Sequence, residues 1–231
     1  DAWDIDETYA REGEEITDVL SMGIVESGPI RASVRVARQW RGSSITQIYR
    51  LWSDSKRLDI VTDIDWHERQ VLLKTHVPTS VRTHQAAFET MYGAVYRPTH
   101  RNGPWDAARF EGCGHRWGDM SEPGYGVAIL NDSKYGYEAL GSDLMLSLLR
   151  SPLYPDPLAD EGEHHFTYSI YPHAGNWTEA GVVQEAFALN SPLVVSNGGA
   201  LPSFAQVAGI ELGIGALKRA EDGNGLILRI Y

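Results

Sequence analysis

Apolar and polar residues alternate with a period of two along much of this chain, the signature of strands that bury one face. Ile30, Ala32, Val34, Val36 and Trp40 interleave with Arg31, Ser33, Arg35 and Gln39, which predicts a strand over 30–40. The turn signal Arg41-Gly42-Ser43-Ser44 follows, and the β-branched and aromatic run over 45–52 reads as the hairpin partner. Over 57–66, Leu58, Ile60, Thr62, Ile64 and Trp66 form one face and Asp59, Val61, Asp63 and Asp65 the other. Residues 71–77 continue the succession until Pro78, and 81–96 hold a weaker strand pair. Further strands are predicted over 126–130, 144–149 and 165–171. The turn Asn131-Asp132-Ser133-Lys134 follows the first of these, and a Pro- and acid-rich loop over 151–163 separates the last two.

Only 177–189 predicts a helix, with Val182, Val183, Ala186 and Leu189 at helical spacing. In 214–231 two strand-like runs flank Glu221-Asp222-Gly223-Asn224-Gly225, a hairpin turn because Asp-Gly and Asn-Gly tolerate positive φ. Without βαβ alternation the expected class is all-β, an antiparallel two-layer β-sandwich with one short helix.

Composition narrows the function more than the fold. At 231 residues, 42% hydrophobic and 22% charged, the chain suits one domain over 1–231, with a sub-boundary expected near 190–205. No apolar run approaches the roughly 18 residues of a membrane span. A net charge of −11, with scattered basic residues, argues against nucleic acid and favours neutral or cationic ligands. Cys113 has no second cysteine to pair with, which suits a reducing cytoplasm. It is expected to be a buried or idle thiol rather than a nucleophile. The opening DAWDIDETY has no initiator Met, basic segment or apolar segment, and both ends read as cut from something longer.

Isolated chemical motifs are weak. Asp63 and Asp65 point the same way about 7 Å apart, but acids alternating with apolar residues more often form a solvated face. His164 and His165 fall on opposite sides of a strand and cannot chelate one metal together. Gly213 and Gly215 match only the start of a phosphate-binding glycine fingerprint, so no nucleotide cofactor is implied. No serine stands in a nucleophile elbow.

The densest chemistry lies in 97–132, RPTHRNGPWDAARFEGCGHRWGDMSEPGYGVAILND, where Arg, His, Trp and acidic residues crowd between short apolar runs. Trp105, Trp117, Tyr125, Tyr135 and Tyr137 sit beside polar groups, an arrangement that suits stacking on the C–H face of a sugar and equally suits a β-sandwich core.

The same stretch carries a specific resemblance. Arg97-Pro98-Thr99-His100-Arg101-Asn102, Trp105-Asp106, Ala108-Arg109-Phe110, Leu130-Asn131-Asp132, Lys134-Tyr135-Gly136, Leu148-Leu149-Arg150 and Ala220-Glu221-Asp222-Gly223 resemble the C-terminal β-region of the glycoside hydrolase family 38 α-mannosidases, especially the bacterial and cytosolic or vacuolar branch, in register from about residue 1 to 231. The resemblance implies a mutarotase-like supersandwich. It also implies a parent hydrolase, a retaining glycosidase that cleaves α-mannosidic bonds in glycans or oligosaccharides through a covalent mannosyl-aspartate. The nucleophile and a divalent metal, zinc, then belong to an N-terminal α/β domain followed by a helical bundle. These two and mannose-containing glycans are the expected partners, with no membrane or nucleic acid, and the expected location is the cytoplasm. No catalytic residue, metal or cofactor is expected in this chain. Arg97, His100, Arg101, Asn102, Trp105 and Asp106 are the expected rim of the sugar site. Gly103-Pro104 departs from the small hydroxyl residues common before Trp-Asp in the family, so any contact made by those hydroxyls is absent. A stand-alone carbohydrate-binding β-sandwich and a purely structural module stay open as alternatives.

Overall fold

The computed structural model describes residues 2–6, 8–193, 197–198 and 213–231. Two compact units divide the chain, Asp1–Pro192 and Leu193–Tyr231; the sub-boundary expected near 190–205 falls mostly outside the described residues.

In the first unit the strands are β1 (Val19–Ser27), β2 (Arg31–Trp40), β3 (Ser43–Trp52), β4 (Leu58–Trp66), β5 (Leu73–Pro78), β6 (Gln85–Thr90), β7 (Gly93–Pro98), β8 (Gly112–Cys113), β9 (Trp117–Glu122), β10 (Tyr125–Asn131), β11 (Gly136–Leu140), β12 (Asp143–Leu149) and β13 (Gly162–His173). They form two sheets, ordered β1-β2-β3-β4-β13-β10-β9-β6-β7 and β5-β12-β11-β8, with antiparallel pairing throughout. The acidic, proline-rich loop after β12 carries the chain from the small sheet back to the large one, where β13 pairs with β4 and β10. Local chemistry fixes the hairpins. Pro123-Gly124 turns β9 into β10 with Gly124 at φ 99, the residue pair a type II turn needs.

The two sheets face each other across one core in which Ile45, Ile60, Ile64 and Trp66 of the large sheet meet Val77, Tyr137, Leu144 and Leu146 of the small one. Trp66 is fully buried, stacked on Trp40 at 5.7 Å, and its indole N–H donates to Ser151 Oγ at 2.6 Å. A second cluster lies on the other face of the large sheet. There α2 (Val182–Asn190) buries Val182 and Ala186, one turn apart, against Ala87, Trp117, Ala128 and Leu130. The helix begins five residues later than expected because Asn176 Oδ1 accepts the N–H groups of Thr178 and Glu179 and holds 177–181 as turns. Single turns Tyr9–Arg11 and α1 (Pro104–Ala107) add to it. The second unit contributes a hairpin of β14 (Ile214–Arg219) and β15 (Leu226–Ile230), turned by 220–225 with Gly223 and Gly225 at positive φ.

Two assignments of face change. On β2, Ser33 is buried and Ala32 exposed, because Ser33 Oγ donates to Glu26 of the neighbouring strand. On β4, Asp63 and Asp65 are exposed as expected, but Asp59 is buried: it accepts from Arg57, Trp52 and Ser169, which replace its water. The large sheet ends on β1, a nine-residue edge strand whose Leu20, Met22 and Ile24 are 66%, 73% and 74% exposed.

Candidate functional site

The dense segment begins on β7 and is held down from its first residue. Arg97 lays its guanidinium over the Phe88 ring at 5.0 Å and against the backbone of Gly112, where an added Cβ would come within 2.8 Å of Arg97 Cζ. Burial pulls the Arg97 pKa below its usual value, and Nη1 is enclosed without a hydrogen-bond partner. Thr99 is buried. Its N–H donates to His84 O, its hydroxyl to Thr83 O, and its carbonyl accepts from Gly141 N at 2.7 Å. With the backbone pinned on both sides, 100–106 leaves the sheet in a defined direction.

Arg101 turns inward to Glu138 on β11. Glu138, with its side chain only 4% exposed, also accepts from Lys74 Nζ at 2.7 Å and from the Tyr9 hydroxyl. Lys74 reaches Glu111 as well, whose other oxygen accepts from Ser147. Burial, then the bond to Glu138, pushes the Tyr9 hydroxyl pKa up and keeps it a donor. Charges this far from water persist only when paired and hydrogen-bonded, and here two acids and two bases satisfy one another.

The short helix α1 follows. Pro104 fills its first position, where its missing N–H is no loss, and Asp106 Oδ2 accepts the Gly103 N–H at 3.3 Å. Gly103-Pro104 therefore supports the helical turn. His100 Nδ1 lies 3.5 Å from the same Asp106 oxygen but is not aligned for a hydrogen bond.

Four of the six expected rim residues, Arg97, His100, Arg101 and Asp106, line a common cavity with Glu138 and Phe110. Its volume of about 20 Å³ admits a water molecule and excludes a sugar ring. Asn102 and Trp105 do not join it; both face outward, and Trp105 is 77% exposed. The segment is thus a plug with an aromatic on its outer surface. Among the other aromatics, Trp117 and Tyr137 are core, while Tyr135 is exposed. Of the two expectations for Cys113, a buried or an idle thiol, burial does not hold: it is exposed, because β8 pairs with β11 at the edge of the small sheet.

Sequence reading missed the partners. Glu138 and Lys74 sit in strands whose alternation hides their pairing, and Tyr9 lies far upstream. His173 and Asp119, each side chain 1% exposed, bond at 2.7 Å through Nε2 and Oδ2, and nothing in their spacing announces it. No group of three or more His, Cys, Asp or Glu side chains among the described residues is arranged to hold a metal.

Residues 1–158 match the sequence model of the glycosyl hydrolases family 38 C-terminal domain. The chain belongs to this family. As a family 38 C-terminal domain, it is 38% identical over 247 residues to Alpha-mannosidase G of Dictyostelium discoideum, across 100% of this chain and 22% of that protein. It is 44% identical over 183 residues to Alpha-mannosidase 2C1 of Homo sapiens, across 74% of this chain and 17% of the human protein. The chain therefore spans about a fifth of the relatives it matches. The crystal structure of an alpha-mannosidase from Enterococcus faecalis V583 superposes with a TM-score of 0.78 at 20% identity, covering 91% of this chain and 29% of that one, which gives the fold.

Proposed function

We propose that this domain is the C-terminal β-region of a retaining α-mannosidase that hydrolyses α-mannosidic bonds in glycans, and that it carries none of the catalytic groups. The observation that supports this reading is the coverage: a relative named Alpha-mannosidase G matches along the whole chain, yet the chain accounts for only 22% of it. A retaining glycosidase needs two carboxyl groups about 5–5.5 Å apart across the scissile bond. We assign these to an upstream domain, with a divalent metal, zinc, that binds sugar hydroxyls there. We place the parent in the cytoplasm, in keeping with the single cysteine of this chain. Among the described residues no helix is long and apolar enough to cross a membrane.

The domain's own part is mechanical. Large apolar side chains exposed along β1 suit packing against the upstream domains. The plug of 97–106 carries Trp105 and Asn102 as one rim of the sugar site, and Arg97, His100, Arg101 and Asp106 position it from beneath. Two measurements test this. The isolated chain should not hydrolyse an aryl α-mannoside, with or without added divalent metal; turnover would refute the placement of the catalytic groups. In the full-length parent, Arg101→Ala and Asp106→Ala should lower kcat/KM; unchanged values for both would make the segment scaffold and no rim.

A further inference from the structure

On the outer face of the large sheet, beside α2, the side chains become small. Tyr96, Ala87 and Asp119 lie abreast on β7, β6 and β9. In the next row Ser121, Gly126 and His173 lie abreast on β9, β10 and β13. Alanine at 87 leaves a depression, and the chain after β13 brings Trp177 over it, its indole N–H donating to Tyr96 Oη at 3.0 Å. The result is a groove of about 260 Å³, separate from the plug and more than ten times its cavity, near the lower end of the roughly 300–1,000 Å³ usual for small-molecule sites.

The base of the groove is prearranged. Asp119 accepts from Ser121 Oγ at 2.8 Å and from His173 Nε2 at 2.7 Å. His173 fits only because position 126 is glycine: a Cβ there would strike the imidazole and approach Ser121 Cβ to 2.7 Å. A buried carboxylate fixed by two donors still has unused lone pairs and lines the groove. Around it stand the hydroxyls of Thr83 and Ser121 and the amide of Gln85, with Tyr96 and Trp177 as aromatic walls. No Lys or Arg lines it, so an anion finds no partner, and its one acid, with a side chain only 1% exposed, already accepts from Ser121 and His173, so a bare cation gains little. Groups that both donate and accept, set beside aromatic faces, match a neutral ring bearing several hydroxyls.

We infer that this groove, walled by Tyr96 and Trp177 and floored by Ala87 and Asp119, is a binding site for a single neutral pyranose. The inference stands apart from the parent's catalysis, since binding here requires no hydrolysis.

The test is saturation-transfer NMR on the 231-residue chain with methyl α-mannopyranoside, methyl β-glucopyranoside and methyl β-galactopyranoside. For one ring of about a dozen heavy atoms, a Kd on the order of 1 mM is expected for at least one of them. Tyr96→Ala, at a half-exposed position, should weaken that binding at least tenfold, as should Trp177→Ala; Met91→Ala, at the exposed β6–β7 turn, should leave it unchanged. Should Trp177→Ala fail to fold, Tyr96→Ala decides alone. No transfer to any of the three at 10-fold this concentration (about 10 mM) overturns the inference. So does binding that survives Tyr96→Ala and is lost in Trp105→Ala, which would move the sugar to the plug.

Discussion

Removing the charge of Glu138 tests whether the plug is anchored as described. Glu138→Gln keeps the size of the side chain but leaves Lys74, 12% exposed, and Arg101, 31% exposed, without their shared acid. Breaking a buried pair from one side costs about 3–5 kcal/mol. Two features lower that here: Glu111 still faces Lys74 at 3.4 Å, and Arg101 is exposed enough to turn to water. A loss of about 2–3 kcal/mol follows. In urea unfolding with an m-value of about 2–3 kcal/mol/M, the midpoint should fall by about 1 M. Combining Glu138→Leu with Lys74→Met removes both charges and should cost less than the two single changes added, by about 1–3 kcal/mol. Amide exchange in Glu138→Gln should quicken over 100–111 while β4 stays protected. A midpoint within about 0.2 M of wild type, or an additive double variant, would show that the network does not hold the segment.

Other expectations are simpler. Asp63→Asn and Asp65→Asn should change stability by no more than about 0.5 kcal/mol in chemical denaturation, because both are exposed and their pairs with His165 and His67 lie at the surface; a larger loss would contradict a solvated face. Gly118→Ala places a Cβ 2.8 Å from ring atoms of Phe88 and Tyr137 and should cost about 1–3 kcal/mol, read as a lower melting temperature. Cys113 should react fully with a maleimide in the native state, since it is exposed; protection until unfolding would refute its position on the edge strand.

The sandwich was legible because most of its strands are half-buried, and a half-buried strand writes its orientation into every second residue. The period fails where a polar side chain finds a partner inside. Asp59 and Ser33 read as surface and are not, since Arg57, Ser169 and Glu26 come from other positions on the chain. The candidate segment stood out by composition, yet composition could not tell an inward arginine from an outward tryptophan. That distinction rests on Glu138, 37 residues from Arg101. The groove was invisible for a similar reason: its floor holds an alanine, which draws no notice, and its one acid is paired with a histidine 54 residues away.

The two edges of the large sheet are unequal. β7 is short and closes on Pro98, which offers no N–H to a newcomer, whereas β1 presents nine residues with apolar groups exposed along it. Such an edge is a template for another strand. A preparation of the domain by itself is then governed by protein concentration as much as by folding free energy: dilute samples stay dispersed, and concentrated ones recruit further copies along β1. Lysine at Met22 or Ile24 would interrupt that growth while leaving the sandwich core untouched.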